Sequence, residues 1–212
     1  MCNNNTSYEF RSKIRKCVFI TVFYQEKYLH MLEILLESLH GRMDENTDIL
    51  IYTSSCFVNK IKEMYIYDCF LYSSKPNKII FETNDGINNI YKSCKARLDF
   101  FSLKKGVTYH SILYIDTDII IVKHISPLFE LLTSDKLYAV SEGSIDDVSN
   151  FWGRSLFKED ILKYEGMPAF NTGCLLFRNC IAMFELFNAI KENIHENKSV
   201  FSTYDQPYIV YN

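Results

Sequence analysis

Glycine and proline are scarce, at 7 and 4 of the 212 residues, which excludes a fibrous or low-complexity chain. No run of eighteen apolar residues exists, so no membrane-spanning helix is expected. Met1 to Ser7 is polar and lacks the apolar core of a signal peptide, which points to a cytoplasmic protein. An excess of positive charge is missing too. Lys plus Arg number 23 against 26 Asp plus Glu, a formal charge of −3, which argues against nucleic acid as a partner. Seven cysteines stand at positions 2, 17, 56, 69, 94, 174 and 180, without a C-x-x-C pair. Their odd count does not fit a secreted disulfide framework, and most lie in apolar runs, so they read as reduced thiols. Tryptophan occurs once, whereas 15 Tyr and 16 Phe raise the aromatic content to 15%, a richness for which AT-rich coding accounts. The apolar 48% and charged 23% are ordinary for a soluble globular chain and exclude wholesale disorder. At 25.0 kDa the chain is the size of one large domain with a substantial core.

Residues 1–16 are polar and basic, with Arg11, Lys13, Arg15 and Lys16, and read as a loose leader to a domain over 17–212. Cys17–Phe23 is a β-rich apolar run and predicts a buried strand. Leu29, Leu32, Leu36 and Leu39 recur at helical spacing within Glu26–His40, and Gly41 follows as a stop. Further strands are expected at Asp48–Thr53 and Lys78–Phe81, and a helix at Asn89–Lys104. The strongest strand signal runs from Ser111, through Ile112–Ile115, and resumes at Ile119–Val122. Ser126 as N-cap and Pro127 as first residue open a short helix over Leu128–Leu132. Strands at Leu137–Val140 and Cys174–Phe177 and an amphipathic helix at Ile181–Asn197 follow. Strands alternating with helices predict a single α/β domain with a mixed, mainly parallel sheet flanked by helices. Ligands of such sheets bind beyond the carboxyl ends of the strands.

Two carboxylates, Asp116 and Asp118, interrupt the apolar run at Ile112–Val122. An unpaired buried carboxylate costs several kcal/mol, so compensation is expected. Residues i and i+2 share a face at a strand end, so the pair can converge on one cation. All-oxygen ligation favours Mg²⁺ or Mn²⁺ over zinc, and such an ion bridges to phosphates. A solvated strand-end turn is the alternative.

Five blocks in one order resemble the glycosyltransferases of family 8, which include glycogenin and the bacterial lipopolysaccharide galactosyltransferases. They are Phe19-Ile20-Thr21 with Tyr28, Lys95-Ala96-Arg97-Leu98, Asp116-Thr117-Asp118 followed by His124–Glu130, Phe170–Phe177, and Tyr204-Asp205-Gln206. The resemblance implies a GT-A (Rossmann-like) fold, a UDP-sugar donor with UDP-glucose foremost, Mn²⁺ or Mg²⁺, and retaining transfer of a hexose to a hydroxyl. It assigns the metal to Asp116 and Asp118, and the nucleotide-binding half to 17–122. Donor contacts fall to Thr21, Phe23, Tyr28, Arg97, Asp116, Thr117, Asp118, Asn171, Thr172, Gly173, Asp205 and Gln206. Catalytic roles fall to Asp118, Asp205 and Gln206; Asp205 also reads as a helix N-cap. Residues 123–212 become the sugar and acceptor half, truncated at its end. The acceptor can be a carbohydrate, a protein or a lipid-linked glycan, and homodimer formation stays open.

Two departures stand out. Phe23, Tyr24 and Gln25 replace the small hydroxyl residues usual after the first strand, and Val210 stands where the D-Q block continues with Asn. The family's later H-x-x-G-x-x-K-P-W block, which supplies a metal-binding His, has no counterpart. His30, His40, His110, His124 and His195 stand in other contexts. Rival readings are a weak or inactive UDP-sugar-binding protein of the same fold and a haloacid-dehalogenase-type phosphatase. The second is poorly served, since the acidic pair begins only at residue 116 and Ile120 replaces its hydroxyl residue.

Overall fold

The computed structural model describes residues 15–74, 77–197 and 205–212. Most of the expected leader (1–14) and Tyr204 lie outside the described residues. Among the described residues six strands form one sheet: β1 (Lys16–Val22), β2 (Thr47–Thr53), β3 (Ile79–Thr83), β4 (Ser111–Ile115), β5 (Tyr138–Ser144) and β6 (Pro168–Arg178). Their order is β3-β2-β1-β4-β6-β5. β1, β2, β3 and β4 are mutually parallel, and β6 runs antiparallel between β4 and β5. Helices α1 (Lys27–Leu39), α2 (Ser55–Lys62), α3 (Tyr65–Leu71), α4 (Ile90–Lys95), α5 (Ser126–Glu130), α6 (Ile181–Glu196) and α7 (Gln206–Tyr211) complete the chain, with 3₁₀ turns between some of them.

Strand alternation sorts the core into two layers. Val18, Ile20, Val22, Ile49, Ile51, Leu113 and Ile115 face one side, against the leucines of α1 and against Phe57, Ile61, Ile66 and Phe70 of α2 and α3. Phe19, Leu50, Ile112, Tyr114, Leu175 and Phe177 face the other, against Phe100 and against Met183, Phe187 and Ile190 of α6. The leucines of α1 are buried as their spacing predicts, and Gly41 takes φ +78°, a left-handed conformation that ends the helix cheaply.

Several boundaries differ from expectation. β4 stops at Ile115, and residues 119–122 form no strand. The chain turns there, with the Ile119 amide donating to the Asp116 carbonyl at 3.4 Å. Ile119 and Ile121 then pack on the α1 layer, while Ile120 and Val122 are 62% and 77% exposed. The alternation is real, but no partner strand lies alongside; the Ile121 amide bonds to Ser38 Oγ instead, at 3.0 Å. The helix expected over 89–104 is α only as far as Lys95 and 3₁₀ over Ala96–Ser102. Ser126 is the first residue of α5 and not its cap, which falls on Ile125. Helices α2 and α3 had no clear periodic signal. β6 begins at Pro168, so Asn171-Thr172-Gly173 lies inside a strand and not in a turn before it.

Candidate functional site

β1 and β4 are adjacent and parallel, so their carboxyl ends open on the same rim of the sheet. Thr21 stands near the end of β1, Phe23 follows it, and Tyr28 lies in the first turn of α1. Asp116, Thr117 and Asp118 follow β4 directly. These residues, with Arg97 and Tyr114, line one cleft of about 320 Å³. Seven of the expected donor-contacting residues therefore meet there: Thr21, Phe23, Tyr28, Arg97, Asp116, Thr117 and Asp118. Phe23 is also a core residue, with its ring edge-on to Tyr52 at 5.0 Å.

Arg97 is the hub of the site. It is 9% exposed, and a buried guanidinium must find acceptors on several sides. Nη1 donates to the Thr172 carbonyl at 2.5 Å and to Asp116 Oδ2 at 3.3 Å. Nε lies 3.0 Å from Asp205 Oδ2, yet its single hydrogen is directed at the Cys94 carbonyl, at 3.1 Å. The guanidinium also sits over the Tyr114 ring, 4.8 Å from its centre. Burial opposes its charge, but Asp116 and Asp205 outweigh burial and raise its pKa above the ordinary arginine value. The second cation expected near the donor is thus already bound between two carboxylates.

Asp116 is held from three sides. The Tyr114 hydroxyl donates to Oδ1, and Tyr114 also shares a hydrogen bond with Thr21 Oγ1 at 3.2 Å. Burial pushes the Tyr114 hydroxyl pKa well up, so it remains a donor at all working pH values. Arg97 reaches Oδ2, and the Asp116 amide donates to the Gly173 carbonyl at 2.8 Å. Gly173 is needed for this approach: a Cβ there would stand 3.0 Å from Asp116 Oδ2 and 2.9 Å from Asn171 Oδ1. The close neighbours that favour glycine are the side-chain oxygens of Asn171 and Asp116. Asp118 lies beyond the strand, in the turn, and is exposed. Alternation along a strand therefore does not relate the two carboxylates; the turn brings both to the cleft.

Asn171, Thr172, Gly173, Asp205 and Gln206 do not line the cleft and form a shell behind Arg97 and Asp116. Asn171 accepts from the Gly173 amide at 2.6 Å and donates to Glu142 at 2.7 Å. Gln206 Oε1 accepts from the Thr172 hydroxyl at 3.2 Å and from its amide at 3.4 Å. Asp205 stands at the N-cap position of α7, as expected, but makes no side-chain capping bond. It is 2% exposed, and its buried Oδ2 accepts no hydrogen bond among the described residues. Burial, with Asp116 adding repulsion and Arg97 opposing both, raises its pKa to about 6.

Among the described residues, no three His, Cys, Asp or Glu side chains are grouped to hold a metal. None of the five histidines lines the cleft. Asp116 and Asp118 are hard oxygen donors with lone pairs to spare, since Asp116 accepts one bond on each oxygen. This set fits an open site for a hard divalent cation whose remaining positions go to water and ligand oxygens.

Tyr114 and Lys27 line the cleft without having been singled out in sequence. For Tyr114 a signal existed: it is a hydroxyl inside an apolar strand two residues before Asp116, on the same face. For Lys27 there was none, because an exposed lysine at a helix start is ordinary.

Comparison with known proteins agrees with this architecture. The bifunctional glycosyltransferase WbbM superposes with a TM-score of 0.64 at 18% identity, over 92% of this chain and 37% of that one. The glycosyltransferase GlyE of Streptococcus pneumoniae TIGR4 superposes with a TM-score of 0.56 at 20% identity, over 92% and 42%; its apo form gives 0.57. The shared fold is the GT-A type, and the chain spans about two fifths of the length of these structures. No curated protein matches the chain in sequence. No helix of the described residues is long and apolar enough to cross a membrane. The model of glycosyl transferase family 8 matches residues 20–181, and the chain belongs to that family.

Proposed function

We propose that the chain transfers a hexose from a UDP-sugar, UDP-glucose first, to a hydroxyl acceptor, retaining the anomeric configuration. One observation carries the reading: a cleft at the strand ends sets aromatic side chains against two carboxylates, and Arg97 ties one of them, Asp116, to Asp205. Thr21 and Tyr28 would take the base, whose face a tyrosine ring can stack against, with the buried Phe23 supporting the floor of the cleft. Asp116 and Asp118 are the residues to hold Mn²⁺ or Mg²⁺. Bound there, the ion supplies positive charge where the leaving diphosphate gains negative charge.

The protein's own part is positioning. Tyr114 and Arg97 fix the Asp116 carboxylate before any ligand arrives, so no reorganisation is needed on binding. Asp205 is buried behind the cleft with Oδ2 3.0 Å from Arg97 Nε, so its part is to hold Arg97 and to oppose, through space, the positive charge that grows at the anomeric carbon. With its pKa at about 6, Asp205 is mostly ionised at neutral pH. Gln206 is locked to Thr172 beside it. The acceptor is a carbohydrate, a protein or a lipid-linked glycan.

The test is incubation with a panel of UDP-sugars and Mn²⁺, followed by UDP release and intact protein mass. Metal-dependent UDP release, fastest with UDP-glucose, is expected. UDP binding without release from any donor would make the chain a binding protein. Hydrolysis of a generic phosphate ester without UDP binding would return the phosphatase reading.

A further inference from the structure

We propose that Lys27 is the phosphate-binding cation of this cleft, and that in the free protein it is parked over the ring of Tyr28. The identity of the ligand as a nucleoside diphosphate rests on the function proposed above; the assignment of Lys27 rests on the charges of the cleft itself. Four ionic side chains line it: Asp116, Asp118, Arg97 and Lys27. Arg97 is buried and lies between Asp116 and Asp205, so its charge is already offset by two carboxylates. Lys27 is exposed at the first position of α1. Its neighbour Glu26 pairs with Lys60 at 2.5 Å and does not compete for it. Lys27 has no carboxylate partner among the described residues; its Nζ lies 5.2 Å from the centre of the Tyr28 ring.

A diphosphate carries at least two negative charges into a cleft that already holds two carboxylates. A cation at Asp116 and Asp118 answers part of that charge, and Lys27 is the uncommitted protein cation left to answer more. Its flexible four-carbon stem lets the ammonium turn without moving the helix. A cation over an aromatic face is weakly held, whereas an ion pair with phosphate in a partly enclosed cleft is stronger. Turning toward phosphate also uncovers the face of Tyr28 on which a base would stack. Phosphate capture and exposure of the aromatic face are therefore one movement.

Titration calorimetry with Mn²⁺ on the wild type, Lys27→Gln and Lys27→Arg, using uridine, UDP and inorganic pyrophosphate, tests this. Lys27→Gln is expected to weaken UDP and pyrophosphate about tenfold, about 1.4 kcal/mol, and to leave uridine unchanged or slightly tighter. Lys27→Arg should restore most of the loss. The UDP affinity of Lys27→Gln should also fall less steeply with added salt. Equal weakening of uridine and UDP would overturn the proposal, because Lys27 would then only pack against Tyr28. No change with any ligand would overturn it too, as would a wild type that binds neither anion. A wild type that binds pyrophosphate but not UDP would reject the UDP reading alone, and pyrophosphate would still decide for or against Lys27.

Discussion

Replacing Asp205 by Asn should change how the stability of the protein depends on pH. An unperturbed Asp titrates near ~3.9. In the folded chain burial raises Asp205 to about 6. The folded state then holds this proton more tightly than the unfolded state does. Stability from this group is fully present below the unfolded pKa and is lost as pH rises through the folded pKa, so the loss falls between about pH 4 and pH 6. Roughly two pH units at ~1.4 kcal/mol each give a loss of about 3 kcal/mol. Asp205 is 2% exposed, so solvent screening does not discount the figure. Asn has nearly the same shape and does not titrate. The difference in unfolding free energy, Asn variant minus wild type, should therefore grow by about 3 kcal/mol from pH 4 to pH 7 in favour of Asn. Urea unfolding at several pH values measures it, and in melting temperature it corresponds to about 6–12 °C for a chain of this size. Parallel stability profiles for the two proteins would refute the reasoning. The same variant should lose most of its transferase activity, since the costly charge is kept where the proposed chemistry needs it.

Other expectations follow from single contacts. Asp118→Ala should slow UDP-sugar turnover roughly a hundredfold, about 2.7 kcal/mol of barrier, while the urea midpoint stays put because the side chain is exposed; unchanged turnover would remove Asp118 from the site. Tyr114→Phe removes the donor to Asp116 and the bond to Thr21, and urea unfolding should show a loss of about 1–3 kcal/mol. Gly143→Ala places a Cβ 2.2 Å from Trp152 Nε1 at φ +70°, so a loss of about 2–4 kcal/mol is expected, visible as a lower melting temperature and an altered near-ultraviolet signal from Trp152.

Much of the fold was legible locally. β1, β2 and β4 announce themselves as continuous apolar β-rich runs because both of their faces are buried, and α1 and α6 by their helical spacing because a single buried face imposes its period on the sequence. Where burial is partial the signal fades. α2 and α3 each bury only two side chains, and β5 is largely exposed, so only its start, within the expected Leu137–Val140, was legible. Ile119–Val122 shows the opposite failure: the apolar β-branched run is present, but a strand also needs a neighbour to pair with, and that is a matter of where other segments lie.

The site divides in the same way. The sequence supplied the candidates: Asp116 and Asp118 after an apolar strand and, by resemblance to the family, Arg97 ahead of them and Asp205-Gln206 far downstream. Only the tertiary structure decided their relations, because contacts between residues as distant as 97, 116 and 205 are made by packing and not by spacing. It turned Arg97 from a free cation into a bridge between two carboxylates, and set the side chains of Asn171 and Asp116 against Gly173. It also left Asp205 buried with an unsatisfied oxygen. Lys27, without a carboxylate partner among the described residues, stands out in the cleft for the same reason: whether a charge is free depends on every neighbour the fold brings to it.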